Sequence, residues 1–139
     1  MQTTKRKANT FAGLKKARLQ WTPCQPYRTI VVWYDIDNPE PLKVAGIDYD
    51  PAEGGPCGAK VTEYFTDDDL YLILAGFHHH PDPNVLCGRV VHEAVHIVNM
   101  TFEHHGVRLD TNNDEHQAYF TELVATEGFK AMGALFDGA

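Results

Sequence analysis

The sequence predicts an α+β fold, a small and mainly antiparallel sheet of three or four strands followed by two packed helices. Three observations lead there. Between residues 29 and 75, short runs of β-branched and aromatic residues are separated by Pro, Gly and Asp turns. From residue 85 the apolar positions change to helical spacing. A second helical stretch follows a short polar loop, and strands first with helices after is the α+β order.

Residues 9–20 suit a short helix with Phe11 and Leu14, and Ala17 or Leu19, on one side. Thr22-Pro23 and Gln25-Pro26 interrupt it. Residues 1–26 are therefore expected as a basic, loosely structured arm, and residues 27–139 as a single domain. Residues 29–34 read as a strand, being almost wholly β-branched and aromatic. Residues 42–49 suit a second strand weakened by Gly46, and the Gly- and Pro-rich stretch 51–58 suits a loop. Residues 60–65 alternate as a strand does, Asp67, Asp68 and Asp69 make a turn, and residues 70–75 form a short apolar strand ending at Gly76. The short connections predict a β-meander.

Beyond a loop at 78–83, Asn84 is a candidate helix cap. Val90, Val91, Ala94, Val95, Val98 and Phe102 then form the apolar stripe of an amphipathic helix reaching about residue 104. Gly106 suits its stop. The second helix is expected over residues 114–132, with Ala118, Tyr119, Leu123, Val124 and Phe129 on its apolar side.

Length and composition agree with one domain: 139 residues, 43% of them hydrophobic, can bury one core. No run of about 18 apolar residues occurs, so no membrane-spanning helix is expected. No apolar segment follows the basic N-terminus as in a secretory signal. Cys24, Cys57 and Cys87 are too few for a disulfide framework, which favours a reducing cytoplasm. The net charge of −7 conceals an asymmetry, because residues 1–34 carry +7 and the remainder −14. Such an arm can contact nucleic acid or dock on its own acidic body.

His92-Glu93-Ala94-Val95-His96 is an H-E-x-x-H sequence inside the stronger helical segment. Residues four apart lie one turn apart on one face, so both imidazoles can reach one Zn²⁺ ion. Glu93, one residue round, can touch a water on that metal without being a ligand. The bland reading is two solvated histidines without metal. A catalytic zinc takes a third protein ligand and keeps a position for water. Glu115, nineteen residues after His96 at the start of the next helix, is the first candidate and Glu122 its competitor. Glu115 could instead cap its own helix.

His92-Glu93-x-x-His96 followed by Glu115-x-x-Ala118 resembles the gluzincin zinc metallopeptidases, and in its small size the minimal members. The stretch 92–124 also resembles small zincin-like proteins encoded by bacteriophages. The resemblance implies His92, His96 and Glu115 as zinc ligands and Glu93 as general base. It also implies that the strand at 70–75 is the sheet edge along which a peptide lies. Tyr119 and His116 are candidates to stabilise the oxyanion.

The activity so implied is zinc-dependent hydrolysis of a peptide or protein, in the cytoplasm, including that of a phage-infected host. The alternative is a non-catalytic, zinc-stabilised module that binds protein or nucleic acid through its basic arm. The histidines at 78, 79 and 80 could line a cleft, although an internal tract of this kind is commonly solvated. No membrane partner is expected, and the sequence sets no oligomeric state.

Overall fold

In a computed structural model, which describes residues 9–52 and 57–136, the elements follow in the order α1 (Thr10–Ala17), β1 (Gln20–Pro23), β2 (Thr29–Asp35), α2 (Glu40–Val44), β3 (Ala59–Phe65), β4 (Tyr71–Phe77), α3 (Pro83–His104) and α4 (Glu115–Phe136). The fold is α+β: a four-stranded mixed, mostly antiparallel sheet followed by two long helices.

The strand order is β1-β2-β4-β3. β1 pairs antiparallel with β2, and β3 antiparallel with β4, but β2 and β4 run parallel, with Val31 opposite Ile73. The expected meander is therefore corrected. After β2 the chain crosses to the far edge, forms β3, and returns to the centre as β4. The physical reason lies in the two central strands. Ile30, Val31, Val32, Trp33 and Tyr34 of β2 and Leu72, Ile73, Leu74 and Ala75 of β4 are all buried, so both faces of the sheet must be covered.

One face is covered by α1 and α2, with Leu14 and Leu42 against Ile30, Val32, Leu72 and Leu74. The other is covered by α3 and α4, with Val90, Ala94, Ile97, Val98, Phe120 and Val124 against Val31, Trp33, Ile73 and Phe77. This arrangement corrects the loose arm. From residue 9 onward that segment is α1 and β1, with Leu14, Leu19 and Cys24 in the core. Residues 1–8 lie outside the described residues. Thr10 fixes the segment to the β3–β4 turn, its amide and its hydroxyl both donating to the Asp68 carboxylate.

The second strand expected at 42–49 is also corrected. Residues 40–44 form the short helix α2, with Pro41 near its start and Leu42 fully buried beneath it. Gly46, at φ 84°, turns the chain out of it.

α3 starts as expected but is capped by Asp82, whose side chain accepts from the Asn84 amide at 2.9 Å. Its buried face is Val90, Glu93, Ala94, Ile97, Val98, Thr101 and Phe102. Val91 and Val95, assigned to the core from spacing, are 45% and 42% exposed. The helix has two valine stripes, and packing on the sheet and on α4 selects the 90/94/98 stripe. α4 returns antiparallel, with His116 stacked on Phe102 and Gly128 against Val90.

Candidate metal and catalytic site

The roll of α3 sets the site. With Ala94 and Ile97 facing the core, His92 and His96 come to the exposed side and Glu93 turns inward. The Nε2 atoms of His92 and His96 stand 3.2 Å apart. Two imidazole nitrogens, each about 2.05 Å from a tetrahedral zinc, would stand about 3.3 Å apart. The pair therefore fits as two donors to one such ion.

Glu93 is only 6% exposed. Among the described residues its carboxylate makes no hydrogen bond or ion pair. Burial pushes its pKa up from the ordinary carboxylate value, and the charges of His92 and His96 offset part of that. A largely buried carboxylate that faces an open groove without a protein partner commonly marks a functional position.

These side chains line a groove between α3 and β3. Ala59, Lys60 and Val61 form one wall, and His92, Glu93, His96 and Met100 the other, around about 420 Å³. The groove continues past Gly58 and Arg89 toward the start of α3. The strand beside it is β3, the sheet edge, whereas β4 lies between β2 and β3. The expectation that residues 70–75 are the edge is thus corrected. β4 is apolar throughout because it is central, and the polar alternation of β3 belongs to an edge.

Glu115 opens α4 and is exposed. Its neighbour His116 stacks on Phe102 and lies 2.6 Å from the Tyr27 hydroxyl. Phe102 is six residues beyond His96, about 9 Å further along the helix axis. The structure therefore does not bring Glu115 beside the pair. Glu122 is exposed further along α4. Tyr119 is 67% exposed and lines neither part of the groove. Among the described residues no group of three or more His, Cys, Asp or Glu side chains is placed to hold a metal.

The remaining histidines are occupied elsewhere. His78 pairs with Asp37 at 2.9 Å, His80 accepts from the Asp82 amide, and His79 packs on Phe136. His104 stacks on Tyr71, with ring centres 3.9 Å apart, and His105 bonds Thr29. Burial, and secondarily the charge of His104, pushes the His105 pKa down. Cys24, Cys57 and Cys87 are free thiols.

Sequence reasoning missed Arg89 and its contact with Gly58, because a lone arginine before the motif has no spacing signal of its own. Among the described residues no helix is long and apolar enough to cross a membrane. Comparison with protein-family models, with curated proteins and with solved structures gives no match.

Proposed function

We propose that this chain is a zinc-dependent peptidase working in the groove between α3 and β3, with His92 and His96 as metal ligands and Glu93 as general base. The observation that supports it most is the largely buried Glu93 side chain lining one groove with two imidazoles at chelating distance. Glu115 enters as third ligand through the sequence resemblance alone, and in this arrangement of α3 and α4 it stands level with Phe102.

When bound, zinc would supply Lewis acidity toward the substrate carbonyl and the attacking water. The chain's own residues supply the rest. Among the described residues no strand pairs with the outer edge of β3, so an extended peptide could add there. The raised pKa of Glu93 suits it to accept the proton of the attacking water and hand it to the leaving amine.

The test combines metal analysis of untagged protein with hydrolysis of a denatured protein substrate. Zinc bound in wild type, together with turnover that Glu93→Gln abolishes, is the expected result. Zinc without turnover would move the assignment to a non-catalytic, zinc-stabilised module. Absence of bound zinc would overturn both.

A further inference from the structure

We propose that Arg89 binds a carboxylate of the substrate, so that the groove takes acidic peptides. The carboxylate is an Asp or Glu side chain, or a free C-terminus, close to the bond that is cut. This rests on the reading of the groove as a peptidase site.

Arg89 lies three and four residues before His92 and Glu93 on α3, which places it one turn away on the same side. It lines the groove with both of them and with Gly58. Gly58 forms a seat for it. A Cβ there would fall 2.6 Å from the arginine Cζ, 2.7 Å from Nε and 2.9 Å from Nη2. The guanidinium thus occupies the space that a side chain would fill at any other residue. Gly58 is itself held, its carbonyl accepting from the His78 amide at 3.0 Å.

Half-buried and seated in this way, Arg89 makes no hydrogen bond or ion pair among the described residues. Glu93, one turn along, does not pair with it. Lys60 points its ammonium over the Tyr49 ring on the other face of the sheet, so it does not share the role. Further along β3, Glu63 accepts from the Tyr71 hydroxyl at 2.8 Å, so the fixed positive charge belongs to the Arg89 end. A planar guanidinium held by its surroundings, with its donors unused, matches a carboxylate through two parallel hydrogen bonds. Pre-seating on Gly58 lowers the ordering cost of forming them.

The test uses the zinc-loaded full chain carrying Glu93→Gln, so that binding is read without cleavage. Three fluorescent peptides differ only in charge: one with an internal glutamate and an amidated end, one with glutamine and an amidated end, and one with glutamine and a free C-terminal carboxylate. At least one charged peptide should bind about tenfold or more tighter than the neutral one. Which of the two does so identifies the source of the carboxylate. Arg89→Ala should remove the preference, so that the three peptides bind alike, and Arg89→Gln should do the same if the alanine variant is poorly folded. Gly58→Ala should weaken the preference by displacing the guanidinium.

Equal binding of all three peptides, binding of none, or a preference that survives both Arg89 variants would overturn the proposal. Selective binding by a chain whose parent with Glu93 intact cuts none of the peptides would overturn the peptidase reading while supporting carboxylate recognition.

Discussion

His92 and His96 face each other across one turn of α3 with Nε2 atoms 3.2 Å apart, a separation that suits two donors to one tetrahedral ion. It arises from the roll of the helix. Packing of Val90, Ala94, Ile97 and Val98 leaves both imidazoles exposed and turns Glu93 inward, with all three lining the groove beside β3.

The first prediction concerns the metal. His92→Ala and His96→Ala should each lose zinc, since either leaves a single imidazole in the groove. Glu115→Ala separates two architectures. Loss of zinc would mean that the start of α4 moves from its seat on Phe102 and Tyr27 to reach the pair. Retention would mean that the third donor is another residue or water. Elemental analysis of each variant after dialysis gives the answer.

Glu93→Gln should have opposite effects on activity and stability. Positioned acid–base catalysis contributes about 10²–10⁴-fold, so hydrolysis should fall by that order. The metal-free protein should become slightly more stable, by up to about 1 kcal/mol at neutral pH, because a partly desolvated carboxylate is replaced by a neutral amide. Urea denaturation of metal-free wild type and variant measures this, and a less stable variant would show that the carboxylate has a structural partner.

How much of this was legible in the sequence depended on how locally each feature is fixed. β2, β3, β4, α3 and α4 follow from patterns within about twenty residues, and all five form close to where the spacing places them. The parallel pairing of β2 with β4 is a long-range decision. Its trace was that residues 29–34 and 70–75 are apolar throughout rather than alternating, the mark of strands covered on both faces. The same signal would have marked residues 60–65 as the edge. Val91 and Val95 looked like core because valines occupy two stripes, and only the neighbours of α3 choose between them. The motif itself was legible, but the placement of Glu115 was not, since it depends on the ten-residue α3–α4 connection and on His116 docking against Tyr27.

Asp68 should make part of the stability depend on pH at the acid end. Burial alone would push its carboxyl up, but hydrogen bonds from the Thr10 hydroxyl and amide and from the Thr66 hydroxyl outweigh this and hold it below the ordinary range. A carboxyl depressed in the folded state adds stability above its unfolded value of about 3.9, and loses it as the pH falls through the lower folded value. Asp68→Asn should cost about 1 kcal/mol near neutrality by weakening the docking of α1. The gap between wild type and variant should narrow as the pH falls below about 4. Urea midpoints collected across that range test it, and a constant gap would show that Asp68 acts without its charge.

Gly128 of α4 should not accept even one added methyl without loss of stability. In an exposed helix, glycine to alanine gains about 0.5–1 kcal/mol from backbone entropy. Here the added Cβ would fall 2.7 Å from Val90 Cγ1 and 3.1 Å from the Trp33 ring, inside a packed interface. Trp33 has little freedom to retreat, because its Nε1 donates to the buried Thr22 hydroxyl at 3.0 Å and its ring packs on Phe77. Overpacking of this kind costs about 1–3 kcal/mol and outweighs the entropic gain, so Gly128→Ala should destabilise by about 1 kcal/mol or more. Val90 is the softer neighbour. Val90→Ala alone should also destabilise, by opening a cavity. Combined with Gly128→Ala it makes room for the new methyl, so the double variant should be more stable than the sum of the single losses predicts. A double-mutant cycle in urea measures that coupling. Strict additivity would mean that α4 shifts away from α3 rather than competing for the space beside Val90.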